Sequence, residues 1–250
     1  MKIIGTGRAH PAKVVTNAML EGFLDTSDEW IRTRTGITER RLISSERLED
    51  LAAEASLKAI EDAGLTPADI DYIICSNVVN EYITPALSCI VQGAIGAKCA
   101  CVDINGACSG FIYALDMADD RIRSGKARNI LVLAAEEPTR MVDWEDRALC
   151  VLFGDGAGAA VLKNEESGII DMLMGSDGTK GEALKCTSRS LGNFLTGERP
   201  ELGFMTMDGQ EVFRFAVKRV PESIESLMKR NQTAKEDIRY YILHQANERI

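Results

Sequence analysis

The sequence predicts a layered α/β protein with parallel strands. Apolar runs of strand length alternate with amphipathic helical stretches up to about residue 135. The composition is that of an ordinary folded chain: 250 residues, 45% hydrophobic and 27% charged, with 21 Gly and 6 Pro. Collagen-like and largely disordered content is excluded on those figures. No apolar run reaches the ~18 to 20 residues that a membrane-spanning helix needs.

Each element follows in turn. Residues 2–7 read as a strand with no signal peptide ahead of it. A helix is expected over 26–36, with Thr26 and Glu29 spaced as a capping box and Trp30 and Arg34 on neighbouring turns. Over 48–63, Leu48, Leu51, Ala52, Ala55, Ala59 and Ile60 recur at helical spacing, and Gly64 stops the helix. A strand over 70–75, a helix over 85–95 and a strand over 100–104 come next. Small residues then lead into a helix over 108–124, and a strand follows over 130–135.

The pattern then changes. Residues 149–153, the glycine run 154–158 and residues 159–162 read as strand, tight turn and returning strand. A further strand is expected over 169–174, then a long irregular stretch over 179–207 of the kind that is functional or mobile. A long helix over 209–231, with a kink at Pro221, precedes a strand over 240–243 that ends at His244. No linker is visible, so the domain boundary falls near residue 165: 1–165 and 166–250. Residues 247–250 read as the first turn of a helix, which predicts that the chain continues beyond Ile250.

Charge narrows the partners. Lys plus Arg number 29 and Asp plus Glu 38, a formal charge of −9, which disfavours nucleic-acid binding. The seven cysteines include no C-x-x-C pair, and their odd number fits a reduced, cytoplasmic compartment in which most are small buried hydrophobes. With only two histidines, a His/Cys metal cluster is not expected.

Two places could carry chemistry. Cys108 lies between a strand and a helix, flanked by Gly106, Ala107, Ser109 and Gly110. A helix start offers free N–H groups and a positive dipole end, both favouring a thiolate, and the small neighbours leave room for a substrate. The same pattern also fits a buried cysteine in a tight core. His244 at a strand end could serve a distant cysteine, or be structural. His10, before Pro11, reads as structural. The glycine run 154–158 has no helix behind it, so a hairpin turn explains it better than a phosphate loop. Trp30, Arg34 and Arg147 could hold an aromatic, phosphate-bearing ligand, or be ordinary core and surface.

Six strings give these residues a context: GTG near the start, TSDEWIRTRTGITER (26–40), DINGACSGFIYALDMA (103–118), DRALCVLFGDGAGAAVL (146–162), GQEVFRFAV (209–217) and HQANERI (244–250). The chain resembles the β-ketoacyl-[acyl-carrier-protein] synthase III family, the initiating condensing enzymes of type II fatty acid synthesis, over its whole length. The resemblance implies a thiolase-like fold, two related α/β halves in an αβαβα arrangement, with the second half incomplete as given. It implies that Cys108 is the nucleophile that takes an acyl group from coenzyme A. His244 then assists decarboxylation of malonyl-acyl carrier protein. Trp30 and Arg147 hold the adenine of coenzyme A, and Arg34 its phosphates or pantetheine. Asn247 lines the pantetheine tunnel and Phe213 sits at its mouth. Arg214, Lys218 and Arg249 meet the acidic carrier protein. Ile83 crosses a homodimer interface to close the partner's acyl pocket. Coenzyme A enters as a thioester substrate, with no cofactor, metal, nucleic acid or membrane implied.

The family's catalytic asparagine and second oxyanion donor are expected beyond residue 250, so full condensing activity is not expected of the chain as given. Two other readings remain: a non-catalytic acyl-CoA-binding or dimerisation relative, and another thiolase-fold condenser of polyketide-starter or hydroxymethylglutaryl type.

Overall fold

The computed structural model describes residues 1–165, 167–187, 195–197 and 203–249. In chain order the elements are β1 (Lys2–Ala9), β2 (Lys13–Thr16), α1 (Asn17–Leu20), α2 (Asp28–Thr35), β3 (Glu39–Leu42), α3 (Leu48–Asp62), β4 (Tyr72–Ser76), α4 (Leu87–Ile95), β5 (Ala100–Ile104), α5 (Gly110–Arg123), β6 (Asn129–Glu136), β7 (Gly156–Lys163), β8 (Leu184–Lys185), β9 (Thr206–Met207) and α6 (Gly209–Arg230). Two compact units share them. Met1–Val15, Glu39–Pro138 and Gly154–Met172 make the first; Thr16–Thr38, Thr139–Phe153 and the described residues of Leu173–Ile250 make the second.

The first unit is built on a five-stranded sheet of order β1-β7-β6-β4-β5. β4 runs parallel to β5 and β6, whereas β7 is antiparallel to β6 and β1. The sheet is therefore mixed, not all parallel. Side chains alternate between two cores, as strand pleating requires. Ile73, Cys75, Leu131, Leu133 and Val161 face the layer of α3 and α4. Ile74, Ile130, Val132 and Leu162 face α5 through Ala114, Leu115, Ala118 and Ile122. Burial on both faces explains the continuous apolar runs of β4 and β6. All six periodic residues expected on α3 are buried, and Gly64 leaves the helix with φ +67°.

Gly5 and Gly7 set how close α3 lies on β1. A Cβ at Gly5 would collide with the carbonyl oxygen of Ala59, and one at Gly7 with that of Ala55. The glycines on the strand and the alanines on the helix together bring two backbones into contact.

In the second unit, α2 is capped by Ser27, whose hydroxyl accepts the Trp30 N–H at 3.0 Å, and not by the expected Thr26. The cap lies one residue later because the helix begins at Asp28. Acidic Asp28 and Glu29 open α2, basic Arg32 and Arg34 close it, and Gly36 ends it at φ +77°, all in accord with the helix dipole. The Asp208 carboxylate caps α6 by accepting the N–H groups of Gln210 and Glu211. α6 runs through Pro221 with no fully buried residue.

Four expectations are corrected. Residues 149–153 contain a 3-10 turn at Cys150–Leu152, not a strand. The glycine run makes no hairpin: the Asp155 N–H donates to the Arg41 carbonyl at 2.8 Å and its carboxylate accepts the Ile43 N–H at 2.9 Å. These bonds hold Gly154 and Asp155 against β3 until β7 begins. Residues 169–174 form no strand; Ile169 donates to the Met1 carbonyl at 2.8 Å and packs with Met172 on the core beneath α5. Residues 240–243 are exposed, and no strand among the described residues pairs with them. Of the irregular stretch 179–207, residues 188–194 and 198–202 lie outside the described residues, as does Ile250.

Candidate active site

The Cys108 turn belongs to the first unit. β5 ends at Ile104, a 3-10 turn spans Ala107–Ser109, and α5 starts at Gly110. Ala107 sits at φ +45°, a left-handed conformation that costs a non-glycine residue energy and that marks functional turns. Neighbouring glycines make the turn possible. A Cβ on Gly106 would lie 2.8 Å from the Gly110 Cα and 3.0 Å from the Tyr113 ring, and one on Gly110 would strike the Ser76 hydroxyl. Cys108 is exposed on this elbow, which excludes the buried-cysteine alternative. Ser109 makes no side-chain cap on α5.

The electrostatics run partly against expectation. Enough protein surrounds the exposed Cys108 for desolvation to push its thiol up; its own backbone N–H opposes this, and the negative charge of Glu136 adds to it. Glu136, which sequence reasoning missed, ends β6. Its two carboxylate oxygens accept the Val78 N–H at 3.0 and 3.1 Å, and burial raises its pKa to about 7. Its only sequence signal is an acidic pair, Glu136 and Glu137, closing an apolar strand. Asp103 was also missed as a structural clamp. From β5 it accepts the Leu87 and Ser88 N–H groups at 2.6 and 2.8 Å, capping α4.

Of the seven cysteines only Cys75 and Cys150 are buried. The expectation that most would be is corrected: β5, which carries Cys101 and follows Cys99, is an edge strand of the sheet, and Cys89 lies on α4, which packs beside it.

The second unit brings Trp30, Arg34 and Arg147 together. The Arg34 and Arg147 guanidinium carbons lie 4.6 and 5.2 Å from the Trp30 ring centroid. Arg147 also donates to the main-chain oxygen of Asp25 and reaches its carboxylate at 3.3 Å. The segment 244–249 meets the end of α2: Arg249 donates to the Thr33 carbonyl, and the Glu248 N–H to that of Thr35 at 3.1 Å. The Asn247 side chain accepts the Arg249 N–H at 2.9 Å, and His244 is exposed. On α6, Arg214 is tied to Glu211 and, at 3.3 Å, to Gln210, while Phe213 and Lys218 are exposed. Ile83, in the first unit, is 66% exposed. Among the described residues no three His, Cys, Asp or Glu side chains group to hold a metal, and no helix is long and apolar enough to cross a membrane.

A mixed sheet flanked by helices, with an exposed cysteine on a strand-to-helix elbow, is compatible with a condensing acyltransferase of thiolase-like fold, and known proteins give that class. The family model for 3-oxoacyl-[acyl-carrier-protein (ACP)] synthase III matches residues 102–178. The β-ketoacyl-[acyl-carrier-protein] synthase III of Clostridium acetobutylicum is 45% identical over 253 residues, spanning 100% of this chain and 78% of its own. That of Clostridium perfringens is 47% identical with the same coverage. The crystal structure of the Aquifex aeolicus synthase III superposes with a TM-score of 0.90 at 42% identity, covering 99% of this chain and 77% of that one. The chain belongs to the β-ketoacyl-[acyl-carrier-protein] synthase III family. Its role is the condensation that starts fatty acid synthesis, and the non-catalytic and other-condenser readings are not favoured.

Proposed function

We propose that the chain joins an acyl-CoA primer, acetyl-CoA, to malonyl-acyl carrier protein with loss of CO2. The observation that carries this reading is the exposed Cys108 on its strained elbow at the start of α5. The Cys108 sulfur attacks the thioester carbonyl, a new C–S bond forms, and the bond to coenzyme A breaks. The backbone N–H of Cys108 itself, at the turn into α5, holds the developing oxyanion. His244 donates a ring N–H to the malonyl thioester oxygen as loss of CO2 builds an enolate there. The enolate carbon then attacks the acyl-Cys108 carbonyl, forming the C–C bond and releasing the cysteine. Side chains and the thioester alone supply this chemistry, with no cofactor.

Trp30 and Arg147 hold the adenine and Arg34 takes the phosphates or pantetheine; the cation–π contacts of both arginines with the Trp30 ring support this grouping. Asn247 and Phe213 line the pantetheine path. Arg214, Lys218 and Arg249 receive the acidic carrier protein, although Arg214 must leave Glu211 to do so. Residues 1–165 and 166–250 are the two halves of the thiolase-like repeat, a division by descent that differs from the packing units.

A cytoplasmic homodimer is part of the reading. Among the described residues β5 pairs only with β4, which leaves one side of its ladder open there, and the apolar stretch 83–95 precedes it. Ile83 is then free to reach the partner's acyl pocket.

The test is labelling with acetyl-CoA followed by peptide mass mapping. Label on Cys108 alone is expected, with none in Cys108→Ala of unchanged circular dichroism. Label spread over Cys75, Cys150 and Cys186 refutes the assignment.

A further inference from the structure

One buried side chain ties three parts of the first unit together. Asn77 follows β4 and is 7% exposed. Its main-chain N–H donates to the carbonyl of Ile104, the last residue of β5, at 3.1 Å. Its side-chain amide donates to the Ala135 carbonyl of β6 at 2.7 Å and to the Val79 carbonyl at 2.9 Å, and its Oδ1 accepts the Asn80 side-chain amide at 3.1 Å. The amide donors and the oxygen are all used, so the side chain has one orientation.

The bonds continue outward. The Asn80 Oδ1 accepts the Tyr82 N–H at 2.7 Å, which bends the chain just ahead of Ile83. Arg47, which precedes α3, donates to the Tyr82 hydroxyl at 3.3 Å and to the Glu81 carboxylate at 3.2 Å. Those outer contacts are exposed, so they hold the tip of the segment weakly. The firm anchor on the path to Ile83 is the buried one at Asn77.

We propose that Asn77 is a positioning residue for primer selection: through Asn80 it sets where Ile83 stands relative to β5, and with it the length of acyl group that Cys108 accepts. The inference rests on the proposed function and on the subunit contact at β5. The strand that meets the partner is the strand to which Asn77 is bonded, so Ile83 enters the partner's pocket at one depth. A loosened segment leaves the pocket deeper, and longer primers then fit.

The experiment measures Cys108 acylation by acetyl-CoA and by butyryl-CoA in the whole chain, by intact mass and peptide mapping. Asn80→Asp keeps an acceptor for the Tyr82 N–H and breaks the bond to Asn77, whereas Asn77→Ala removes all the side-chain bonds. Each should raise the butyryl-to-acetyl rate ratio about fivefold, the worth of one ordinary hydrogen bond. Iodoacetamide needs no acyl pocket and should alkylate Cys108 in Asn80→Asp at the wild-type rate, whereas damage to the turn would slow every reagent alike. Ile83→Gly should raise the ratio by itself, and adding Asn80→Asp to it should raise it little further, because both act through one side chain. An unchanged ratio in Asn80→Asp, or effects of the two substitutions that simply multiply, overturns the inference. Amide exchange separates this from a failure of the acylation reading. Exchange over 78–83 should quicken in Asn80→Asp while exchange over 101–110 does not. Wild-type chain that takes no acetyl label counts against the proposed function; unaltered exchange over 78–83 in Asn80→Asp overturns the role of Asn77 whatever the label shows.

Discussion

A carboxyl group that keeps its proton to about pH 7 ends β6 within electrostatic reach of Cys108. Glu136 has a folded pKa well above the ordinary 4.5. Between those values the folded chain holds a proton that the unfolded chain has lost, so this group lowers stability as pH rises through that window. Glu136→Gln keeps an acceptor for the Val78 N–H and removes the charge. Urea unfolding should show the variant more stable by about 2 kcal/mol at pH 8 and little changed at pH 4. Iodoacetamide should alkylate its Cys108 faster at pH 8, since a negative charge that raises the thiol has gone. Equal alkylation rates would show that Cys108 does not feel Glu136. Cys108 was legible in the sequence because small residues at a strand-to-helix junction are a local pattern. Glu136 was not, because its perturbation comes from burial, which the N–H of Val78, remote in sequence, only partly offsets.

Helix α3 and strand β1 meet through backbone, not through large side chains. Gly7→Ala inserts a methyl group against the Ala55 carbonyl, with no flexible side chain to yield. We expect a loss of about 3 kcal/mol in urea unfolding, the upper range for overpacking a core. Gly64→Ala meets no neighbour and should cost less, through its φ of +67° alone. A similar cost for both would mean that β1 shifts to admit the methyl group. The elements read correctly from sequence, among them β1, α2, α3, β4, α4, β5, α5, β6 and α6, each declare themselves within their own residues, by periodicity, a capping pattern or a bounded apolar run. Those misread share another cause. Apolar residues at 149–153, 169–174 and 240–243 look like strands, but a strand exists only if a second one lies alongside. No local pattern reports the partner.

At the scale of the whole molecule the proposed homodimer rests on the open edge of β5. Light scattering at micromolar concentration should give twice the 27.3 kDa of one chain. A stable monomer would remove the proposed subunit contact and the role of Ile83 with it. The thiolase-like architecture was legible through six strings spread along the chain, which single out a family where any one glycine run could not. The packing units were not legible, because each draws on three separate segments.

The clamp that Asp103 places on α4 has a meaning for the residues that follow it. Asp103 is tied to two helix N–H groups, and Gly110 is pressed against Ser76, so the stretch between them is anchored at both ends. Cys108 lies within a bridge too short to wander. Its disorder is surrendered when the chain folds rather than when a thioester arrives, and the sulfur waits in one place for a ligand that need not hold it still.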